Sequence, residues 1–113
     1  MDSNILELPP MSLDEALNIR GPHTYFVRCG GDSMQGAGIF EGDLMIVDKA
    51  RDAVMGDIVI ASVNGAATVK RLGQNCGMPV LLPENPKYAP RYIIEGDDLE
   101  IWGVVTSRVH SFD

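Results

Sequence analysis

The residues that most readily carry chemistry are scarce in this sequence. It holds two histidines, His23 and His110, and two cysteines, Cys29 and Cys76. Neither histidine has a second His or a Cys at ligand spacing, and no CxxC is present, so no metal or other cofactor is expected. A histidine-based triad is equally poorly supported, and both histidines read as ordinary surface residues. Two cysteines cannot build a disulfide framework, and two reduced thiols are expected. Basic residues are few: 9 Lys and Arg stand against 16 Asp and Glu, a net charge of −7. Gripping a phosphate backbone relies on Lys and Arg, so direct nucleic-acid binding is not expected. No apolar run reaches the roughly 18 residues of a membrane span. Met1–Asn4 lacks the basic start of a secretion signal, which leads to the expectation of a cytoplasmic protein. At 113 residues the chain is too short for a (β/α)8 barrel.

Turn residues are plentiful instead, with 12 glycines and 7 prolines. Residues 1–11 read as an extended arm, since Pro9-Pro10 resists helix and central strand. Ser12-Leu13-Asp14-Glu15 has capping-box spacing and predicts a short helix over about 12–19, stopped by Gly21-Pro22. Short runs rich in apolar and β-branched residues then follow at close spacing: 24–29, 44–47, 57–63, 67–72, 79–82, 91–94 and 99–109. Asn64-Gly65 between two of them is a strong hairpin signal. Gly42-Asp43-Leu44 and Gly56-Asp57-Ile58 each launch a strand and read as one reused turn. The pattern predicts a mainly β chain: a single strongly bent antiparallel β domain over 22–113, preceded by an arm with a short helix over 1–21.

Two residues stand out chemically. Ser33 follows Gly30-Gly31-Asp32 where a strand ends. Glycines there permit a tight backbone that would expose a hydroxyl beside free N–H groups, although Gly-Asp-Ser is also an ordinary turn. Lys70 lies within the apolar returning strand of the Asn64-Gly65 hairpin. It is either a lysine on an exposed face or a partly desolvated amine, whose lowered pKa would let it take a proton from a hydroxyl. The Gly-rich segment 30–38 lacks GxxxxGK[ST] and is not a phosphate loop.

Gly31-Asp32-Ser33-Met34, Gly38-Ile39, Gly42-Asp43-Leu44, Gly56-Asp57-Ile58-Val59, Thr68-Val69-Lys70-Arg71-Leu72, Pro83-Glu84-Asn85, Tyr88 and Gly103-Val104-Val105 occur in that order. Together they resemble the LexA/UmuD family of self-cleaving Ser–Lys proteins, over about residues 22–107, and most of all its UmuD-like members. The resemblance implies the LexA/signal-peptidase-like β fold, Ser33 as nucleophile and Lys70 as general base. It also implies an oxyanion site at the backbone N–H groups of Asp32 and Ser33. It further implies a homodimer built largely through the C-terminal strands and the arm. The processed dimer would serve as accessory subunit of a Y-family (UmuC-like) translesion DNA polymerase. The unprocessed form would respond to RecA–single-stranded DNA filaments in the SOS response. Family members cut an Ala-Gly or Cys-Gly bond in an N-terminal segment. Residues 1–20 contain neither, so the likeness is to the processed form. Cys29-Gly30 reads as a strand end rather than a substrate bond. The alternative implied by the same motifs is the C-terminal self-cleavage and dimerisation domain of a LexA- or phage-type repressor.

Overall fold

Short alternating runs separated by glycine turns leave few options besides an antiparallel sheet. The computed structural model describes residues 5–113 and contains one seven-stranded sheet. The strands are β1 (Thr24–Arg28), β2 (Leu44–Asp48), β3 (Ile58–Val63), β4 (Ala66–Asn75), β5 (Met78–Leu82), β6 (Arg91–Tyr92) and β7 (Leu99–Val109). Their spatial order is β1-β2-β7-β3-β4-β5-β6, and every neighbouring pair is antiparallel.

The bend is concentrated in β7. Its first half pairs with β3 and its second half with β2. The register slips once in each half, leaving Trp102 and Thr106 as the extra residues. An extra residue bends and twists the strand that carries it. The Thr106 hydroxyl donates to the Ile46 carbonyl at 3.2 Å, and the Tyr25 hydroxyl donates to the Trp102 carbonyl at 3.2 Å. Between the bulges lies Gly103. A Cβ there would sit 2.6 Å from Val47 Cγ1 and 3.0 Å from the Asp48 carbonyl oxygen. The close approach of the end of β2 to β7 therefore needs a glycine.

Because the sheet folds over itself, β3 is covered on both faces. Ile60 packs with Cys29, Met34, Ile39, Met45 and Val47. Its neighbours Val59 and Ala61 point the other way and pack with Leu81, Ile93 and Val104. Strand periodicity of two produces this division.

Helix α1 (Leu13–Leu17) is shorter than the span predicted for it. Ser12 caps it as expected, with Oγ accepting from the Glu15 N–H at 3.1 Å. The stop comes earlier, at Asn18, whose left-handed backbone (φ 54°) ends the helix before Gly21-Pro22 is reached. Residues 5–11 form no helix or strand; residues 1–4 of the expected arm lie outside the described residues.

Asn64-Gly65 makes the β3–β4 hairpin, with φ of 52° and 87°. A second hairpin of the same kind, Cys76-Gly77 (φ 51° and 81°), joins β4 to β5. This strand therefore runs to Asn75, beyond the expected end at 72, and its apex residue is a cysteine, an unusual type at a turn position with positive φ. The Gly-Asp turn occurs three times rather than twice. In Phe40–Asp43, Val54–Asp57 and Ile94–Asp97 the glycine has φ near 90°: 89°, 93° and 93°. In each the Asp N–H donates to the first carbonyl at 3.0 Å. In each the Asp carboxylate accepts the first residue's N–H, at 2.8, 3.0 and 3.0 Å. The third turn cuts β6 to two residues where four were predicted. Arg91, the Ile94 amide and Asn64 hold the Asp97 carboxyl down at about 2.

His110 departs from the surface role expected of it. Its Nδ1 lies 2.5 Å from Oδ1 of Asp43, a carboxylate 2% exposed. The ring is flanked by Phe40 and Phe112 at centroid distances of 5.6 and 5.5 Å. His23 is exposed.

Candidate active site

Lys70 stands on β4 directly opposite Val59 of β3. Alternation places its side chain on the face opposite to that of Val69. The ammonium-bearing end is half-buried and turns toward the loop that follows β1. There Lys70 Nζ lies 2.9 Å from Ser33 Oγ. The two residues singled out in the sequence, 37 positions apart, are thus in direct hydrogen-bond contact.

Nζ has two further partners, Thr68 Oγ1 at 2.7 Å and the Val69 carbonyl at 3.1 Å. Among the described residues no carboxylate lies within ion-pair distance of it. Burial pushes the Lys70 pKa down from its ordinary value, and the nearby Cys29 thiol opposes this only in part. A neutral amine has two N–H bonds and one lone pair. It can donate to Thr68 and Val69 while accepting the Ser33 hydroxyl proton. Thr68 belongs to the Thr68-Val69-Lys70-Arg71-Leu72 motif but has no role assigned to it from the sequence. Its spacing of two from Lys70 on a strand, hence on the same face, is the signal that was there to use.

The Ser33 turn is held by contacts other than Lys70. A loop, Pro83–Tyr88, straps across it. The Glu84 N–H donates to the Ser33 carbonyl at 2.7 Å, and the Gly36 N–H donates to the Glu84 carbonyl at 2.7 Å. Asn85 Nδ2 donates to the Asp32 carbonyl at 2.9 Å. Lys87 Nζ lies 2.9 Å from Asp32 Oδ2, and the Tyr88 hydroxyl donates to Asp32 Oδ1. The Tyr88 and Lys87 contacts hold the Asp32 carboxyl below its ordinary pKa. A Cβ on Gly36 would fall 2.5 Å from the Glu84 carbonyl oxygen, so the strap closes only over a glycine. Gly30 and Gly31 differ from expectation. Neither lies in the left-handed region, and a Cβ on either would meet nothing within 4 Å. Their lack of side chains leaves open space rather than permitting a tight turn.

The Cys29 thiol donates to the Gly31 carbonyl at 3.3 Å, and the Cys29 N–H donates to the Asp43 carbonyl at 2.8 Å. Cys29 is buried and Cys76 exposed, and both are free. The N–H groups of Asp32 and Ser33 carry no hydrogen bond among the described residues. A cleft of about 230 Å³ lies between Val27–Gly30 and Ala67–Val69; it reaches Thr68, the partner of Lys70, but neither Ser33 nor Lys70 lines it. Both walls are unpaired strand edges, because β1 pairs only with β2, and β4 meets β5 only from Arg71 onward. Among the described residues no group of three His, Cys, Asp or Glu could hold a metal, and no helix is long and apolar enough to cross a membrane.

A bent antiparallel sheet with a serine and an unpaired lysine in contact defines a small class of proteins. Comparison with known families identifies it: residues 3–106 match the Peptidase S24-like family, and the chain belongs to that LexA/UmuD family. It is similar to Protein SamA of Salmonella typhimurium, 51% identical over 87 residues, which cover 77% of this chain and 59% of SamA. It is also similar to the LexA repressor of Bordetella parapertussis, 39% identical over 87 residues, 77% of this chain and 40% of that repressor. LexA repressor 2 of Pseudomonas putida is 44% identical over 92 residues, 81% of this chain and 45% of the repressor. The matched part thus spans 59% of SamA and less than half of these two repressors.

Proposed function

We propose that this chain is a Ser–Lys peptidase unit of the self-cleaving kind, with Ser33 as nucleophile and Lys70 as general base. The observation that carries the reading is the 2.9 Å contact between Lys70 Nζ and Ser33 Oγ, made by a lysine without a carboxylate partner. Neutral Lys70 takes the Ser33 proton as Oγ attacks a peptide carbonyl. The N–H groups of Asp32 and Ser33 receive the developing oxyanion. Protonated Lys70 then returns its proton to the leaving amine, and water, activated by the same lysine, hydrolyses the acyl-enzyme. The unpaired edges of β1 and β4 suit an extended peptide, which would add a strand across the cleft. Open space at Gly30 and Gly31 leaves room for its backbone.

The test is cleavage of a synthetic extended peptide containing an Ala-Gly bond, with a second peptide containing Cys-Gly. Cleavage should vanish in Ser33→Ala and in Lys70→Ala. The rate should rise with pH as Lys70 loses its proton, with a midpoint below the ordinary lysine value of about 10.4. Cleavage that survives Ser33→Ala would overturn the reading.

The wider role we infer is that of a UmuD-like SOS-mutagenesis protein. It acts as a homodimer and as accessory subunit of a Y-family translesion polymerase, with RecA–single-stranded DNA filaments acting on an unprocessed form. Likeness to SamA and a net charge of −7, which leaves DNA contact to a partner, support this. Capture from DNA-damaged cells with this chain as bait should recover such a polymerase. The repressor reading is supported by the LexA matches, in which this chain corresponds to under half of the whole. A coding sequence continuing upstream into a DNA-binding domain would decide for it.

A further inference from the structure

The Lys70 side of the site is supported by the sheet, but the Ser33 turn lies outside any strand. What aims its backbone is the Pro83–Tyr88 strap, and its contacts differ in weight. Lys87 and Tyr88 reach the Asp32 carboxylate from exposed positions, and exposed ion pairs contribute little. Asn85 is half-buried and touches the peptide group itself. Its amide orientation is dictated by two contacts. Oδ1 accepts from the Lys87 N–H at 3.0 Å, and Nδ2 donates to the Asp32 carbonyl at 2.9 Å. Exchanging the two atoms would set donor against donor and acceptor against acceptor.

In a trans peptide the carbonyl and the N–H point in opposite directions. Asn85 draws the Asp32 carbonyl toward the strap. The N–H of the same peptide, that of Ser33, is thereby turned away from it and left without an acceptor. The Gln35 N–H also reaches this carbonyl, but at 3.3 Å and from within the turn itself. The Glu84 N–H, from the same strap, fixes the next carbonyl, that of Ser33. Arg71 completes the link. It follows Lys70 on β4, and its Nε donates to Glu84 Oε1 at 2.6 Å while a terminal nitrogen donates to the Gly56 carbonyl at 2.6 Å. The strap is thus tied to the strand that carries Lys70.

We propose that Asn85 is a positioning residue: through the Asp32 carbonyl it sets the direction of the Ser33 N–H, one of the two donors that meet the oxyanion. This rests on the Ser–Lys reading above, and it adds a residue from a separate loop. Asn85 touches neither Ser33 Oγ nor Lys70, so its loss should weaken oxyanion stabilisation and leave the base untouched.

Two measurements test this on the whole chain. The first is the rate at which a fluorophosphonate probe labels Ser33, followed by intact mass across a range of pH. Asn85→Ala should lower the plateau rate about tenfold or more, the scale of a misdirected oxyanion donor, with the midpoint of the pH profile unmoved. Asn85→Asp keeps the acceptor for the Lys87 N–H and loses the donor; it should show the same loss at the plateau. A plateau within twofold of wild type in either variant overturns the proposal. So does a midpoint that shifts in Asn85→Ala to account for the loss. The second measurement needs no activity. The residual dipolar coupling of the Ser33 N–H should change in both variants while those of β3 and β4 stay as they are. An unchanged Ser33 coupling overturns the proposal. Labelling that persists in Ser33→Ala would instead defeat the Ser–Lys reading, and the dipolar coupling would still decide what Asn85 does to the peptide.

Discussion

Ser33 and Lys70 arrive at one point by different routes. Lys70 is one rung of a ladder. Its position follows from the register of β4 on β3, which six consecutive residue pairs maintain. Ser33 lies in a turn with no ladder. Its place depends on a loop some fifty residues downstream, through contacts with Ser33, Asp32 and Gly36. A ladder shares any local damage among many bonds. A strap concentrates its effect on a few. The Lys70 side should therefore tolerate local strain that the Ser33 side does not.

The largest expected effect lies where the two routes meet. On the Ser–Lys reading, Ser33→Ala and Lys70→Ala each reduce peptide cleavage to background, by several orders of magnitude. Denaturant melts should show both variants folded. Met34 comes next. It follows Ser33 in sequence and is fully buried among Cys29, Ile39 and Met45. Met34→Ala should lower unfolding free energy by about 2–5 kcal/mol, read from urea midpoints at constant slope.

A matched pair of glycine variants sharpens the contrast. Gly65→Ala strains the β3–β4 hairpin, where φ is 87° but nothing lies within 4 Å of the added methyl. It should cost about 1–2 kcal/mol of stability and leave the cleavage rate per folded molecule unchanged. Gly36→Ala drives a methyl into the Glu84 carbonyl. It should cost a similar amount, about 1–3 kcal/mol, and also slow cleavage, because the strap must shift. Equal rates in the two variants would refute the distinction between ladder and strap.

The smallest effect concerns acid. Burial pushes the Asp43 carboxyl up, but the Phe40 amide, His110 and Arg108 together outweigh it, and its pKa lies below the ordinary value. A carboxyl lowered in the folded state binds fewer protons there than in the unfolded chain. Its stabilisation is therefore present above the ordinary carboxylate pKa and is lost as pH falls through the folded value. Asp43→Asn should flatten the loss of stability on acidification relative to wild type, measured as urea midpoints at successive pH values. The same slope in both proteins would remove Asp43 from the account. Asp57 makes the matching turn without a histidine and serves as the control variant.

Much of this molecule was legible in its residues. All seven strands were placed from runs of apolar and β-branched residues, since a period of two is a local property. The Asn64-Gly65 hairpin was legible because its backbone demands those residue types. Ser33 and Lys70 were picked out by their surroundings and by family likeness. Asn85 and Gly36 were not, because their partners lie on a distant segment and nothing near them in the chain marks it; Thr68 is marked only by its spacing of two from Lys70. Cys76 at a hairpin apex was missed because its residue type does not advertise a turn. His110 was read as a surface residue because the carboxylate it meets is 67 positions away. Sequence alone, through local steric preference and alternation, determined the strands and most of the turns, and it marked Ser33 and Lys70 as candidates through the family resemblance. Only the tertiary structure decided how β7 bends, which carboxylate His110 meets and how the Ser33 turn is aimed. These depend on bonds between distant segments, whose geometry exists only once the sheet has closed on itself.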